Sequence, residues 1–123
     1  MKAVAVHVTE QELGRRRRLG LDRYDEMWEG VLHITQAPDF EHQRINGKLY
    51  IFLDTLFSLR ARGLVALGVN VFNDIPSAAD FRIPDLSFLS PGRQTLIRRD
   101  GRHGGPDAVI EIRSPEDETY AKL

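Results

Sequence analysis

The stretch FRIPDLSFL, Phe81 to Leu89, decides how this chain is read. Its β-branched and aromatic residues describe a strand, and two-residue alternation places Asp85, Ser87 and Leu89 on one face with Leu86 and Phe88 on the other. A second strand, Ala108 to Arg113, repeats the pattern: Asp107, Val109, Glu111 and Arg113 alternate with Ala108, Ile110 and Ile112. Each strand thus carries an acid on its mixed face. Two carboxylates about 4 Å apart repel by roughly 4 kcal/mol at an effective dielectric of about 20, equivalent to about three pKa units. A divalent cation offsets that repulsion, activates water and stabilises the charge that builds on a phosphodiester. Asp85 and Glu111 are therefore the candidate metal ligands. The plainer alternative makes Asp85 a turn residue at a strand end and Glu111 a surface acid on an edge strand.

Outward from these strands the pattern is α+β. Thr9 with Glu12 three residues on is a capping box that opens a short helix to Leu19, stopped by Gly20. Tyr24 to Glu29 reads as a second short helix, broken by Gly30, and Val31, Leu32 and Ile34 read as a strand. Asp39 caps a long helix predicted to reach Arg62, with Ile45, Leu49, Phe52, Leu53, Leu56 and Leu59 as its apolar stripe and Gly63 as its stop. Leu64 to Phe72 is the first of three late strands, ahead of Phe81 to Leu89 and Ala108 to Arg113. Ser114, Pro115, Glu116 and Asp117 carry the cap, first-turn proline and first-turn acids of another helix. It has few residues left before Leu123, and short helices are marginal without packing. The expectation is a single domain over 1–123, with a helical part at 1–30 and an incomplete core at 31–123, truncated at its C-terminus.

Composition narrows the chemistry. The chain has 123 residues, 41% hydrophobic and 28% charged, which suits one globular domain. No run approaches the roughly 18 apolar residues of a membrane span, and the N-terminus lacks a signal-peptide cleavage pattern, so a cytoplasmic location with no membrane partner is expected. Without cysteine there is no disulfide, zinc–thiolate site or thiol nucleophile. Any metal must sit among carboxylates and the four histidines, which favours hard cations such as Mg2+ or Mn2+. A net charge of −1 excludes a protein that coats nucleic acid by electrostatics alone. Arginines nevertheless cluster at 15–18, read as a solvated helix face, and at Arg93, Arg98, Arg99 and Arg102 beside His103, read as a flexible loop.

Four segments in order, YDEMWEGVLHI, APDFEHQRINGKL, FRIPDLSFL and GGPDAVIEIRSPEDETYAKL, resemble the Uma-type family of restriction-endonuclease-like proteins in the PD-(D/E)XK nuclease superfamily. The resemblance runs from Tyr24 onward. It implies a mixed β-sheet flanked by helices, Pro84-Asp85 as the PD element and Glu111 as the acid of the (D/E)XK element. Arg113 stands where that element has lysine; a lysine moved onto the following helix, as in other members, would be Lys122. Members also continue past this point with further helix and strands.

Individual roles follow from the residue types. Arg113 stays protonated and so cannot be a base, though it can hold a phosphate oxygen. Lys122, in the third turn of the last helix, is the candidate for orienting the attacking water; its plain alternative is a solvated lysine on a frayed end. Glu41 and His42 lie in the first turn of the long helix as candidate metal or phosphate contacts. The resemblance favours His42, which spacing also places on the stripe with Ile45 and Leu49 as an ordinary core-edge histidine. Glu29 before Gly30 matches an acid–glycine pair of the family and also makes a good turn. Asp107, about 13 Å along the strand from Glu111, is read as a turn residue rather than a co-ligand.

The functional expectation is a Mg2+- or Mn2+-dependent endonuclease acting on DNA. Its alternative is a catalytically silent remnant serving as an interaction module. A two-carboxylate enzyme acting on carbohydrate is disfavoured by a single Trp and three Tyr. Uncovered apolar surface at a truncated end would favour association, most simply a two-fold homodimer.

Overall fold

The computed structural model describes residues 3–35, 37–57, 60–77 and 79–113. In chain order its elements are β1 (Ala3–Val6), α1 (Glu10–Arg18), β2 (Glu26–Trp28), β3 (Val31–Thr35), α2 (Phe40–Phe57), β4 (Leu64–Leu67), β5 (Val71–Ser77), β6 (Asp80–Arg82), β7 (Leu86–Leu89), a 3-10 helix (Pro91–Leu96), β8 (Ile97–Arg98), β9 (Gly101–His103) and β10 (Ala108–Ile110). This is an α+β fold with two sheets. A seven-stranded sheet runs β1-β3-β2-β6-β5-β9-β8 and a three-stranded sheet runs β10-β7-β4. The larger sheet is mixed, because β5 and β9 pair in parallel. The smaller is antiparallel, with α2 packed on β4.

The runs 64–72 and 81–89, read above as two uninterrupted strands, form one antiparallel ribbon with a bend in the middle. Leu67 faces Leu86 before the bend, and Val71 faces Arg82 after it. Three residues intervene on each side, 68–70 and 83–85, so the register carries straight across. One half of the ribbon belongs to the small sheet and the other to the large one. The cause is local. Pro84 has no amide hydrogen to give a ladder, and Gly68 opposite Asp85 has φ +31°. The ribbon therefore folds over there, and Gly68 N donates to the Asp85 carbonyl at 3.2 Å.

The capping box forms as expected: Thr9 Oγ1 accepts from Glu12 N at 3.2 Å, and Gly20 follows the helix at φ +68°. Asp39 caps α2 by accepting from His42 N at 2.7 Å. Four expectations are corrected. Glu26–Trp28 is a strand rather than part of a helix. Glu29 and Gly30 both have positive φ, 49° and 87°, which makes the two-residue hairpin turn that pairs Trp28 with Val31. The helical reading of 1–30 thus gives way to a segment holding β1, α1 and β2. The arginine-rich segment after Ser90 is a 3-10 helix and the β8–β9 hairpin rather than a loop. Helix α2 is described to Phe57, and by Arg60 to Arg62 the chain is no longer helical, short of the predicted end at Arg62.

Its buried face departs in part from the predicted stripe: His42, placed on that stripe, is buried together with Asn46, whereas the stripe's Ile45 and Phe52 are exposed. Both faces of β7 are covered, since Leu86, Ser87 and Leu89 are all buried. The helix expected from Ser114 lies outside the described residues.

Among the described residues the buried apolar side chains are Met27, Leu32, Val65, Leu86 and Leu89, fewer than the buried polar ones, Asp25, Glu26, His33, His42, Asn46, Ser87 and Arg102. Polar pairing must therefore hold much of the interior. Arg16 forks onto Asp25, Nε to Oδ2 at 2.7 Å and Nη2 to Oδ1 at 2.9 Å, and also donates to the Leu21 carbonyl, tying α1 to the start of β2. The hydrogen bond to Asp25 raises the Arg16 guanidinium above its ordinary pKa. Arg16→Ala leaves a buried carboxylate without its cation and should cost about 3 kcal/mol or more, read as a lowered urea midpoint at unchanged slope. A loss under about 1 kcal/mol, the level of a surface pair, would show that this bridge holds nothing in place.

Candidate functional site

The bend of the ribbon places Asp85 where three segments converge. Its Oδ1 lies 3.0 Å from Nε2 of His42, in the first turn of α2, and its Oδ2 accepts from the Ile112 amide at 2.7 Å, just past β10. The Asp85 carbonyl accepts from Gly68 N at 3.2 Å and from Asn46 Nδ2 at 3.4 Å. Carboxylate and backbone are thereby both immobilised. An ionised carboxylate can only accept, and, paired with one, His42 Nε2 is the donor. His42 Nδ1 and Asn46 Oδ1 are buried without a partner, unspent polar capacity beside the carboxylate.

Glu111 arrives by register. The last paired residues of the β10–β7 ladder are Ile110 and Leu86, so Glu111 and Asp85 each stand one residue beyond, at the facing ends of neighbouring strands. Ile112, on the far side of Glu111, is the residue that Asp85 holds. The two acids nevertheless line different cavities. Asp85 borders one of about 310 Å3 with Arg23, Tyr24, Glu26, Gln43 and Asn46. Glu111 borders another of similar size with Glu29, Asn73, Asp80 and Arg82. Pro84 lines both. Among the described residues, no group of three or more His, Asp or Glu side chains is placed to hold a metal. A site for Mg2+ or Mn2+ would rest on two carboxylates completed by backbone carbonyls or water, a donor set that such cations accept.

The remaining candidates lie elsewhere or outside the described residues. Glu41 is exposed and ion-paired with Arg44, whose hydrogen bonds hold the carboxyl below its ordinary pKa. Arg113 is exposed, one residue past Ile112. Asp107 accepts from Ser90 N at 2.7 Å, and this bond lowers its pKa. It serves the turn into β10. Glu29 forms the hairpin turn, its amide donating to Asp80 Oδ1 at 3.3 Å. Lys122 lies outside the described residues.

One residue was missed in the sequence. Glu26 is 4% exposed; its Oε2 accepts from Ile83 N at 2.5 Å and its Oε1 from Trp28 Nε1 at 3.3 Å. With Pro84 unable to donate, the Ile83 amide is the donor available just ahead of Asp85, and Glu26 fixes it. The helical reading of Tyr24 to Glu29 hid this role. An acid between Asp25 and Met27, in a segment with Glu29-Gly30 as a hairpin turn, was the signal.

Comparison with known proteins bears on this arrangement. Residues 16–123 match the Uma2 family, described as "Putative restriction endonuclease". The fold matches that of a protein from Anabaena variabilis ATCC 29413 described as "a putative nuclease belonging to DUF820", with a TM-score of 0.61 and 18% identity, over 76% of this chain and 52% of that one. The present chain thus spans about half the length of that protein, and the likeness is one of fold. Among proteins of curated function, none matches significantly. With the match running from the last turns of α1 through the Asp85 bend to Leu123, the chain belongs to the Uma2 family.

Proposed function

We propose that this protein is a nuclease that hydrolyses phosphodiester bonds of DNA with Mg2+ or Mn2+ held by Asp85 and Glu111, a reading that places it in the cytoplasm. The observation that carries the proposal is the Asp85 bend itself. A carboxylate is fixed by His42 and by the Ile112 amide, and the chain that supplies this amide brings Glu111 to the facing strand end. A bound divalent cation would supply positive charge to the phosphodiester oxygens and polarise the attacking water.

The protein's own residues orient and exclude. His42 holds the Asp85 carboxylate in one rotamer, as histidine–carboxylate pairs do around metal sites. Asn46 holds its carbonyl and Glu26 the Ile83 amide two residues before it, so the ligand direction is set before any substrate arrives. Arg113, next to Ile112, is assigned a phosphate oxygen, and Lys122 the positioning of the attacking water.

Titration with Mn2+, followed by calorimetry, should show saturable binding in the wild type and none in Asp85→Ala. Equal binding by both proteins would remove Asp85 from the site. His42→Ala should retain the metal with affinity weakened by about 10- to 100-fold, whereas unchanged affinity would make His42 a plain packing residue. Glu111→Gln removes charge and little volume, so Mn2+-dependent nicking of plasmid DNA should vanish while the folded state persists by circular dichroism. Nicking at the wild-type rate would mean that another acid does the work, and absence of nicking by the wild type would favour the silent interaction module.

A further inference from the structure

A third cavity, of about 360 Å3, lies between β4 and the β8–β9 hairpin, lined by Leu64 to Gly68 and by Arg98, Arg99, Asp100 and Arg102 among others. Three arginines against one aspartate make it locally cationic in a chain whose net charge is −1. Gly68 lines both this cavity and the one that holds Asp85, so the two are contiguous at the bend of the ribbon.

The groove is built rather than accidental. Arg102 N donates to the Asn70 carbonyl at 2.9 Å and Asn70 Nδ2 to the Asp100 carbonyl at 3.1 Å, clamping the hairpin to the residue that leads into β5. Gly101, at φ +138°, allows that approach, because a Cβ there would collide with the Asn70 carbonyl. Beneath the groove Arg102 is 3% exposed; among the described residues its Nη2 reaches the Ser87 carbonyl at 3.4 Å and its Nη1 has no hydrogen-bond partner. A buried guanidinium with one long hydrogen bond is under-compensated. Burial lowers its pKa, and Asp107, which forms no ion pair with it among the described residues, offsets this in part. Asp100 is turned away to His103 Nε2 at 2.8 Å, and Arg98 is held by the carbonyls of Thr95 and Ile97. Arg99, exposed in the hairpin turn, is the cation able to reach a ligand.

We infer that this groove binds the phosphate backbone of the nucleic acid whose cleavage is proposed at Asp85, with Arg99 contacting a phosphate directly and Arg102 supplying buried positive charge beneath it. The inference rests on the nuclease reading for its ligand and on the contiguity at Gly68 for its place. A low-dielectric wall under a cationic groove focuses the field on an incoming anion.

The test is the salt dependence of binding to a fluorescent 20-base-pair DNA duplex, measured in EDTA so that nothing is cleaved. Loss of one phosphate contact in Arg99→Ala should make the slope of log affinity against log salt shallower by about 0.9, with a similar loss of affinity for unrelated sequences. Arg102→Met should weaken binding as well, and Arg102→Lys should restore it in part. Arg17→Ala, at an exposed position of α1, should leave the slope unchanged. A wild-type slope in Arg99→Ala, an equal change in Arg17→Ala, or no duplex binding by the wild type would each overturn the inference. The two proposals fail separately. The expected slope change without metal-dependent cleavage would keep the groove and remove the nuclease, while cleavage with Arg99→Ala binding unaltered would do the reverse.

Discussion

The bend at Asp85 is the constraint on which the rest of this structure depends. A single antiparallel ribbon serves two sheets, and Pro84, opposite Val69 with Gly68 beside it, gives up the ladder where the ribbon must turn. Lost backbone pairing in an interior has to be replaced. Here Glu26 takes the Ile83 amide, Gly68 and Asn46 take the Asp85 carbonyl, and the Asp85 side chain takes the Ile112 amide. The candidate site is therefore made of the same groups that repair the bend.

That double use accounts for the polar interior. Glu26, His42 and Asn46 are buried because the repair requires donors and acceptors in low dielectric. Such groups stabilise the fold only while their partners are in place, and removing one leaves another exposed to the full desolvation cost. Apolar packing is concentrated on β7 and its neighbours, where Leu86 and Leu89 are fully enclosed and Phe88 meets the ring of Phe57 at 5.1 Å between centroids. The small sheet is thus anchored on one side by hydrophobic contact with α2 and on the other by the polar bend.

Charge is distributed in the same economical way. Carboxylates near the bend are held by specific donors, and the cations gather on α1 and on the β8–β9 hairpin. In α1 the arginines complement the helix C-terminus, and Arg16 is committed to Asp25. On the hairpin, Arg102 is buried with little to balance it, and a near-zero net charge conceals this asymmetry.

Much was legible in the sequence where the governing interaction is local. The Thr9 and Asp39 caps and the start of α2 depend on neighbours three or four residues away and stand where the residues placed them, whereas the runs 64–72, 81–89 and 108–113 are β only in part, the last as Ala108–Ile110. The choice of Asp85 and Glu111 as a pair also came from the sequence, and register puts them at facing strand ends. Short β-segments defeated the reading: Glu26–Trp28 resembled a helical turn because three residues carry too little periodicity, and its strand state depends on pairing with β3 and β6. His42 was a candidate from its place in the first turn of α2, but its pairing with Asp85 was out of reach, because the two lie 43 residues apart in the chain and meet only through the packing of α2. The sequence by itself determined which residues could cap, alternate and carry charge. Only the tertiary structure decided that one ribbon would bend at Pro84 and bring His42, Glu26 and Ile112 onto Asp85, since those contacts join segments far apart in the chain and follow from backbone groups that the bend leaves unpaired.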